Sequence, residues 1–534
     1  MTNAQLSQQF KLLAELMELH GENDFKTKSY YFAARTLKNL DINLTELSTS
    51  EIEQIQGIGK AIAQKIYVLL HEDKFDLLEK YLAITPIGIV EILQIKGIGP
   101  KKIKLLWDEL QIESIGELLY ACYENRLTTI KGFGEKTQAN IIEQIEFMQK
   151  NASSFLWASA EPLVIEIQQE IEQQFPNIMM SVVGAFRTKE IILDNIDILI
   201  ASNDSAVQEK LIQDFKNYPV TFHFCTNDDF YNQQFRLSSN EEHISEIEKR
   251  LPANKTYTSE ETIYSDAKLP YIEPEFRNVE NTIQLSENDI LKDIITLKDI
   301  KGIVHTHTKY SDGSNTIEQM VNYCMQQNFE YLAISDHSKS AFYAGGLKEE
   351  DIIKQHQEID ALNLKYPNFK IFKSIEADIL YNGNLDYDAD ILKSFDLVIA
   401  SVHAQLKMNE ETATARIIKA IENPYTNILG HLSGRLLLSR KAYPLNYKKV
   451  IDACAANNVC VELNANPHRL DIDYSWIPYC QEKNVKIAIN PDAHNLHGIH
   501  DIRHGVMAAR KGLLMKNNCI NTYNAQDFIA QLKK

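Results

Sequence analysis

The stretch "IKGIVHTHTKYSDG", residues 300–313, runs an apolar, β-branched segment directly into a histidine pair and an aspartate. Side chains two apart on a strand project to one face, so His305 and His307 leave its end together. Six further apolar runs follow: "YLAISDH", "FKIFKSIEADI", "FDLVIASVHA", "TNILGHLS", "VCVELNAN" and "VKIAINPDAH". Helix-length segments separate them, which predicts parallel α/β strands, as a sheet or barrel, over residues 300–534. In a parallel barrel every C-terminal strand end opens on one face, so residues far apart in sequence meet there. His305, His307, Asp312, His337, Glu376, His403, His431, Asp492 and His494 occupy those positions. Without a cation such a cluster would be repulsive and poorly solvated, whereas imidazoles and carboxylates together suit Zn2+, Mn2+ or Fe2+. Nine groups are enough for more than one ion.

Outward from this region the character changes. Residues 1–150 carry apolar residues three and four apart almost throughout, which predicts an all-α region. Within it a pattern recurs three times: "IQGIGKAIAQKI" from 55, "IKGIGPKKIKLL" from 95 and "IKGFGEKTQANI" from 130. Each copy is an apolar residue, a glycine pair and a helix start, placing Gly57, Gly59, Gly97, Gly99, Gly132 and Gly134 at tight turns. Backbone N–H groups at such turns and helix N-termini suit a phosphate. Lys96, Lys101, Lys102 and Lys104 around the second copy add attraction that is independent of base sequence.

Residues 151–295 read as α+β, with a helix over "EPLVIEIQQEIEQQF" and strands over "MMSVVGAF", "EIILDNIDILIAS" and "VTFHFC". From 230 to 300 the chain is acidic and proline-bearing, and is expected to be irregular. Of the formal net charge of −18, the segment 151–300 holds most, with 26 acidic against 12 basic residues. Acidic surface repels phosphate, so nucleic acid is expected at the two ends of the chain. Seven cysteines without a C-x-x-C pair predict reduced thiols. The absence of a long apolar run and the polar start "MTNAQLSQQF" predict a cytoplasmic protein with no membrane partner.

Residues 300–534 resemble the PHP (polymerase and histidinol phosphatase) domain at all nine metal positions. The resemblance implies a distorted (β/α)7 barrel that hydrolyses phosphate esters with two to three divalent ions. Glu376 would bridge two of them, one held also by His305, His307 and Asp492, the other by His403 and His431. Asp312, His337 and His494 would hold the third. Glu376 and Asp492 would then lie closest to the reaction, with Arg435, Arg469 and Arg440 as candidate phosphate clamps.

The order of helical hairpins, α+β region and PHP domain is similar to bacterial family X DNA polymerases. That resemblance implies a lyase-type domain over 1–80, in which Lys65 matches the Schiff-base lysine, and fingers over 81–150. Residues 151–295 would be a nucleotidyltransferase palm, thumb and linker, here degenerate. Gly184 and Ala185 stand for a glycine–serine pair, Asn195 and Asp197 for two catalytic aspartates, Thr221 for the third, and Arg187 with Thr188 for two arginines. Two-metal nucleotidyl transfer needs carboxylates at those places. The expected activity is therefore phosphodiester hydrolysis on gapped, nicked or 3′ DNA ends, a 3′–5′ exonuclease or end-processing enzyme of repair with synthesis lost. A histidinol-phosphatase type of activity on small molecules and an active gap-filling polymerase are the alternatives.

Overall fold

A computed structural model describes residues 3–533, apart from 39, 41, 43, 73, 96, 150–153, 253 and 254, and divides the chain into two units, 1–150 and 151–534. The first is helical. Helices Asn3–Leu19 and Asp24–Lys38 bury Leu6, Phe10, Leu13 and Met17 with Ala33 and Leu37, and one apolar core continues to Ile145. The three hairpins share one conformation: Gly57, Gly97 and Gly132 have φ of 93°, 94° and 94°, a region open to glycine at little cost. The apolar residue after each, Ile58, Ile98 or Phe133, is buried and anchors the turn.

In the second unit, residues 155–225 form a small α+β body. The strands are β1 (Phe155–Leu156), β2 (Met180–Val183), β3 (Ile192–Leu193), β4 (Ile196–Ala201) and β5 (Val220–Cys225). β4 lies between β2, antiparallel to it, and β5, parallel to it. Helix Trp157–Gln174 packs Val164, Ile167 and Ile171 against Ile196, Ile198 and Ile200. The segment from 230 to 300 departs from the irregular reading. Helices Phe230–Leu237, Glu241–Glu248 and Glu260–Asp266 gather Phe235, Ile247, Ile263, Tyr264 and Phe276 into a core of their own. Each helix is only two turns or so, too short for a periodic signal to stand out.

Seven strands follow: β6 (Gly302–Ile303), β7 (Tyr331–Ile334), β8 (Lys370–Asp378), β9 (Leu397–Ser401), β10 (Thr426–Leu429), β11 (Cys460–Asn464) and β12 (Ile487–Asn490). They pair in parallel in chain order. Beyond β6 and β12 the ring closes through a parallel bridge, His307 N donating to Ala493 O at 2.9 Å. Val304, Ala333, Phe372, Ile399 and Ile428 fill the interior, and Phe528 from helix Ala525–Gln531 stacks on Tyr331. The opposite end is left for the polar residues. Helix Ile502–Lys511 ties the barrel to the α+β body of 155–225: Met507 enters its core, Lys511 Nζ donates to Glu190 at 2.8 Å, and Arg503 pairs with Glu161 at 2.6 Å. Among the described residues, no helix is long and apolar enough to cross a membrane. All seven cysteines are free thiols.

Candidate metal centre

The nine residues named from the sequence converge at the C-terminal ends of the barrel strands, with no side chain more than 4% exposed. Glu376, on β8, is the hub. Its Oε1 lies 3.2 Å from His305 Nε2, 3.1 Å from His403 Nε2 and 2.9 Å from His431 Nε2. Its Oε2 lies 3.0 Å from His337 Nδ1. Asp492 Oδ1 is 3.0 Å from His307 Nε2, and Asp312 stands 3.4 Å from His337 Nε2 and 3.5 Å from His494 Nε2. Three sets bring their ligand atoms within 4.8 Å: His305, His307 and Asp492; His307, Asp312, His337 and His494; and His337, Glu376 and His403. His431 touches Glu376 but stands outside the last set, where His337 takes a place.

These atoms fit divalent cations. His305 Nε2, both nitrogens of His337 and Glu376 Oε2 are buried at ion-pair distances from neighbours yet lack an aligned hydrogen bond. Their lone pairs meet at common points rather than at each other's protons. Burial would drive the imidazole of His305 to lose its proton, but Asp492, Glu462 and Glu376 hold its pKa well above the ordinary value. Burial is likewise outweighed at His403, which Glu376 and Asp378 push up to about 10. For Glu376, burial favours the neutral acid, and His403, His305 and His337 overcome it, holding the carboxyl well below its usual range. Divalent cations would offset the charge of these carboxylates.

Buried carboxylates outside the nine fix the orientation of the ligands. Glu462 on β11, fully buried, accepts from His305 Nδ1–H and His431 N–H at 2.6 Å each and from Asn490 Nδ2 at 2.8 Å. That bond leaves His305 Nε2 free to point into the site. Asp378 does the same for His403 Nδ1–H. Asn464 Nδ2 donates to Asp492 Oδ2 at 3.0 Å. His305 and Asp492 themselves have left-handed backbones, φ 62° and 54°, a strain found where a functional geometry is imposed. Glu462 escaped the sequence reading although a charge inside an apolar parallel strand was its signal. Exchanging it, Glu462→Gln, puts a donor where an acceptor is needed. Metal affinity, measured by competition with a fluorescent chelator, is expected to fall about 10- to 100-fold; unchanged affinity would reduce Glu462 to packing.

Arg435 differs from the clamp reading. Arg435 spends its guanidinium on Arg469 O at 3.0 Å, Leu470 O and Asp473 Oδ2 at 2.6 Å, so it braces the loop after β11 rather than facing a phosphate. Arg469 is buried, and Arg440 Nε donates to Gly434 O at 2.9 Å.

In the α+β body of 155–225, Asp197 shares a face with Asn195, whose Nδ2 is 3.4 Å from Asp197 Oδ1. The residue paired with Asp197 on β5 is Thr221, and His223 Nε2–H donates to Asp197 Oδ1 at 2.8 Å. Gly184 is required there: at φ 63°, a Cβ would meet Asp197 Oδ2 at 2.7 Å. Arg187 is engaged elsewhere, in a fork to Glu260 at 2.8 and 2.6 Å. Asp194 accepts from Ser154 Oγ at 2.6 Å on the exposed side.

In the helical unit, a Cβ at Gly59, Gly97, Gly99, Gly132 or Gly134 would meet nothing within 4 Å, so the space beside these backbones is open. Lys101 is exposed, Lys102 Nζ lies 5.1 Å from the Phe133 ring centre, and Lys104 pairs with Asp108 at 2.5 Å. Lys96 lies outside the described residues. Lys65 is half-buried, and its Nζ is 3.4 Å from Ala61 O.

Three family models match: Helix-hairpin-helix domain over residues 1–75, SAM-like Helix-hairpin-helix tandem over 89–146, and PHP domain over 304–466. The DNA polymerase/3′-5′ exonuclease PolX of Bacillus subtilis (strain 168) is 32% identical over 560 aligned positions, covering 98% of each chain. The chain belongs to the PolX family. The PolX likeness runs from the hairpins through the barrel. Shorter relatives match part of it: a protein named "Probable phosphatase" in Clostridium novyi (strain NT) is 26% identical over 36% of this chain and 78% of its own. Another so named, in Thermoanaerobacter sp. (strain X514), is 28% identical over 36% and 77%.

Proposed function

We propose that this member of the PolX family is a metal-dependent phosphodiesterase that shortens DNA from 3′ ends at gaps and nicks, and that it does not polymerise. The observation carrying the first half is the convergence of four imidazoles on the two oxygens of the buried Glu376 carboxylate. When bound, divalent ions supply hydroxide at neutral pH and neutralise the phosphoryl oxygens. Two or three ions per chain, Mn2+ or Zn2+ or Fe2+, suit these donors. The remaining work falls to side chains. Glu376, Asp492 and Asp312 would offer carboxylate oxygens, His305, His307, His337, His403, His431 and His494 ring nitrogens, and Glu462 and Asp378 keep His305 and His403 oriented. The exonuclease named in the Bacillus subtilis relative supports this reading.

Residues 1–80 and 81–150 are proposed to hold the DNA backbone; three identically shaped glycine turns with open approaches support this. Residues 151–295 are proposed to serve as a connector to the barrel of 300–534. Loss of synthesis is supported by Asn195, by Thr221 opposite Asp197, and by the engagement of Arg187 with Glu260.

A 5′-labelled primer in a gapped duplex, incubated with the protein and Mn2+ with and without nucleotides, tests both halves. Stepwise shortening in both is expected. Extension would overturn the reading of the palm, and an unchanged primer would overturn the nuclease. Asn195→Asp alone is expected to give no extension, because Arg187 stays engaged and β5 stays free of acids.

A further inference from the structure

Among the described residues of the barrel, most large apolar side chains are buried, but Phe342 is 83% exposed. It begins a single turn, Phe342–Ala344, in the loop after β7 that carries the ligand His337. The Tyr343 ring centre lies 6.4 Å from that of His337, and the Phe342 ring lies 6.2 Å from Tyr343, at 74° to it. One aromatic ring therefore separates Phe342 from the metal centre, a reach of about one or two nucleotides of single strand.

The loop is built to display this ring. Ser338 Oγ and Ser340 N both donate to Asp386 Oδ2, at 2.7 and 2.9 Å. Gly346 N donates to Ala341 O at 3.0 Å and Leu347 N to His337 O at 2.8 Å, closing the base of the loop. Gly346 admits no side chain, since a Cβ would stand 1.9 Å from Ser338 O. With its base fastened, the loop holds Phe342 in water instead of folding it onto the surface. The next loop, after β8 and the hub Glu376, exposes Tyr381 at 64%. Arg416 joins that loop to the one bearing His403, donating to Leu380 O at 3.0 Å and Ala404 O at 3.1 Å.

An exposed aromatic ring fixed beside a phosphodiester site complements a nucleobase, because every base offers a π face and stacking is indifferent to sequence. We propose that Phe342 stacks on a base next to the scissile phosphodiester, so that the barrel prefers polynucleotide ends to small phosphate esters. The proposal rests on the nuclease reading and assigns its specificity. Preorganisation of the loop lets the contact form without ordering a mobile segment.

The protein with Mn2+ is assayed on a labelled single-stranded oligonucleotide and on glycerophosphoglycerol, a diester without a base or any aromatic ring. For Phe342→Ala, KM for the oligonucleotide is expected to rise about tenfold, with kcat for it and kcat/KM for the base-free diester both held within about twofold. Phe342→Trp should restore the low KM. Leu364→Ala, equally exposed at 85% on the helix Glu349–Lys365 that returns to the start of β8, should change nothing. An unchanged oligonucleotide KM, or an equal loss on both substrates, would overturn the stacking role, the latter pointing to a structural part or a protein partner's surface. Wild-type hydrolysis of the base-free diester with no cleavage of oligonucleotide would instead remove the nuclease reading itself.

Discussion

Glu376→Gln is expected to lower DNA cleavage by at least about a thousandfold, the several kcal/mol of charge stabilisation that metal ions contribute to such a reaction. The substitution preserves shape and removes one negative charge from the point on which His305, His337, His403 and His431 close. An amide offers a single acceptor oxygen, so it cannot serve imidazoles approaching both Oε1 and Oε2. Metal content by atomic emission should fall by at least one ion per chain. DNA affinity should stay near the wild-type value, because the hairpins lie within residues 1–150, a unit that does not contain Glu376. Retention of full metal content with wild-type cleavage would remove Glu376 from the centre.

Glu260→Ala is expected to destabilise the 151–534 unit by about 3–5 kcal/mol, the cost of breaking a buried ion pair from one side. Arg277 is fully buried and donates to both oxygens of Glu260, at 2.9 and 3.0 Å, while Arg187 forks onto the same carboxylate. Removing the carboxylate strands the Arg277 cation among Phe235, Tyr264 and Tyr271. Burial alone would raise the pKa of Glu260; the two arginines reverse this and set it at about 2. A folded-state value below the unfolded one gives stability that is complete above the ordinary carboxylate range, near pH 4.5, and is lost as pH falls toward 2. Two pKa units correspond to about 3 kcal/mol. Denaturant midpoints of wild type and Glu260→Ala should therefore differ widely at pH 7 and draw together below pH 4. A constant gap across that range would contradict the assignment. Arg187 shares in this network, so freeing its guanidinium from Glu260 would cost part of the same stability.

The barrel and the polar cluster at its strand ends were legible because the pattern is local. Most of the nine residues stand in or just after an apolar run, and a parallel sheet does the gathering, so His305 and Asp492 could be named together although β6 and β12 stand at opposite ends of the strand order. The hairpins were legible through repetition, and one φ for Gly57, Gly97 and Gly132 is its structural counterpart. Direction was not legible. Arg435 sits four residues after His431, yet its side chain turns to the carbonyls of residues 469 and 470, a choice made by loop packing that spacing does not encode. Supporting residues were missed for a similar reason, since Glu462 acts through bonds to residues 157 and 31 positions away. His223 went unnoticed because it replaces no residue type expected on β5, and only the register beside Asp197 reveals it. The short helices between 230 and 266 owe their order to tertiary burial around Arg277 rather than to local propensity.

The barrel is proposed as the chemical centre and residues 151–295 as a connector. This assignment is tested most directly by comparing His305→Ala and Asp197→Ala on one labelled gapped duplex with Mn2+ and nucleotides. His305→Ala should abolish all change in primer length, and Asp197→Ala should shorten the primer as the wild type does. Cleavage surviving in His305→Ala, or primer extension by the wild type that Asp197→Ala removes, would contradict it.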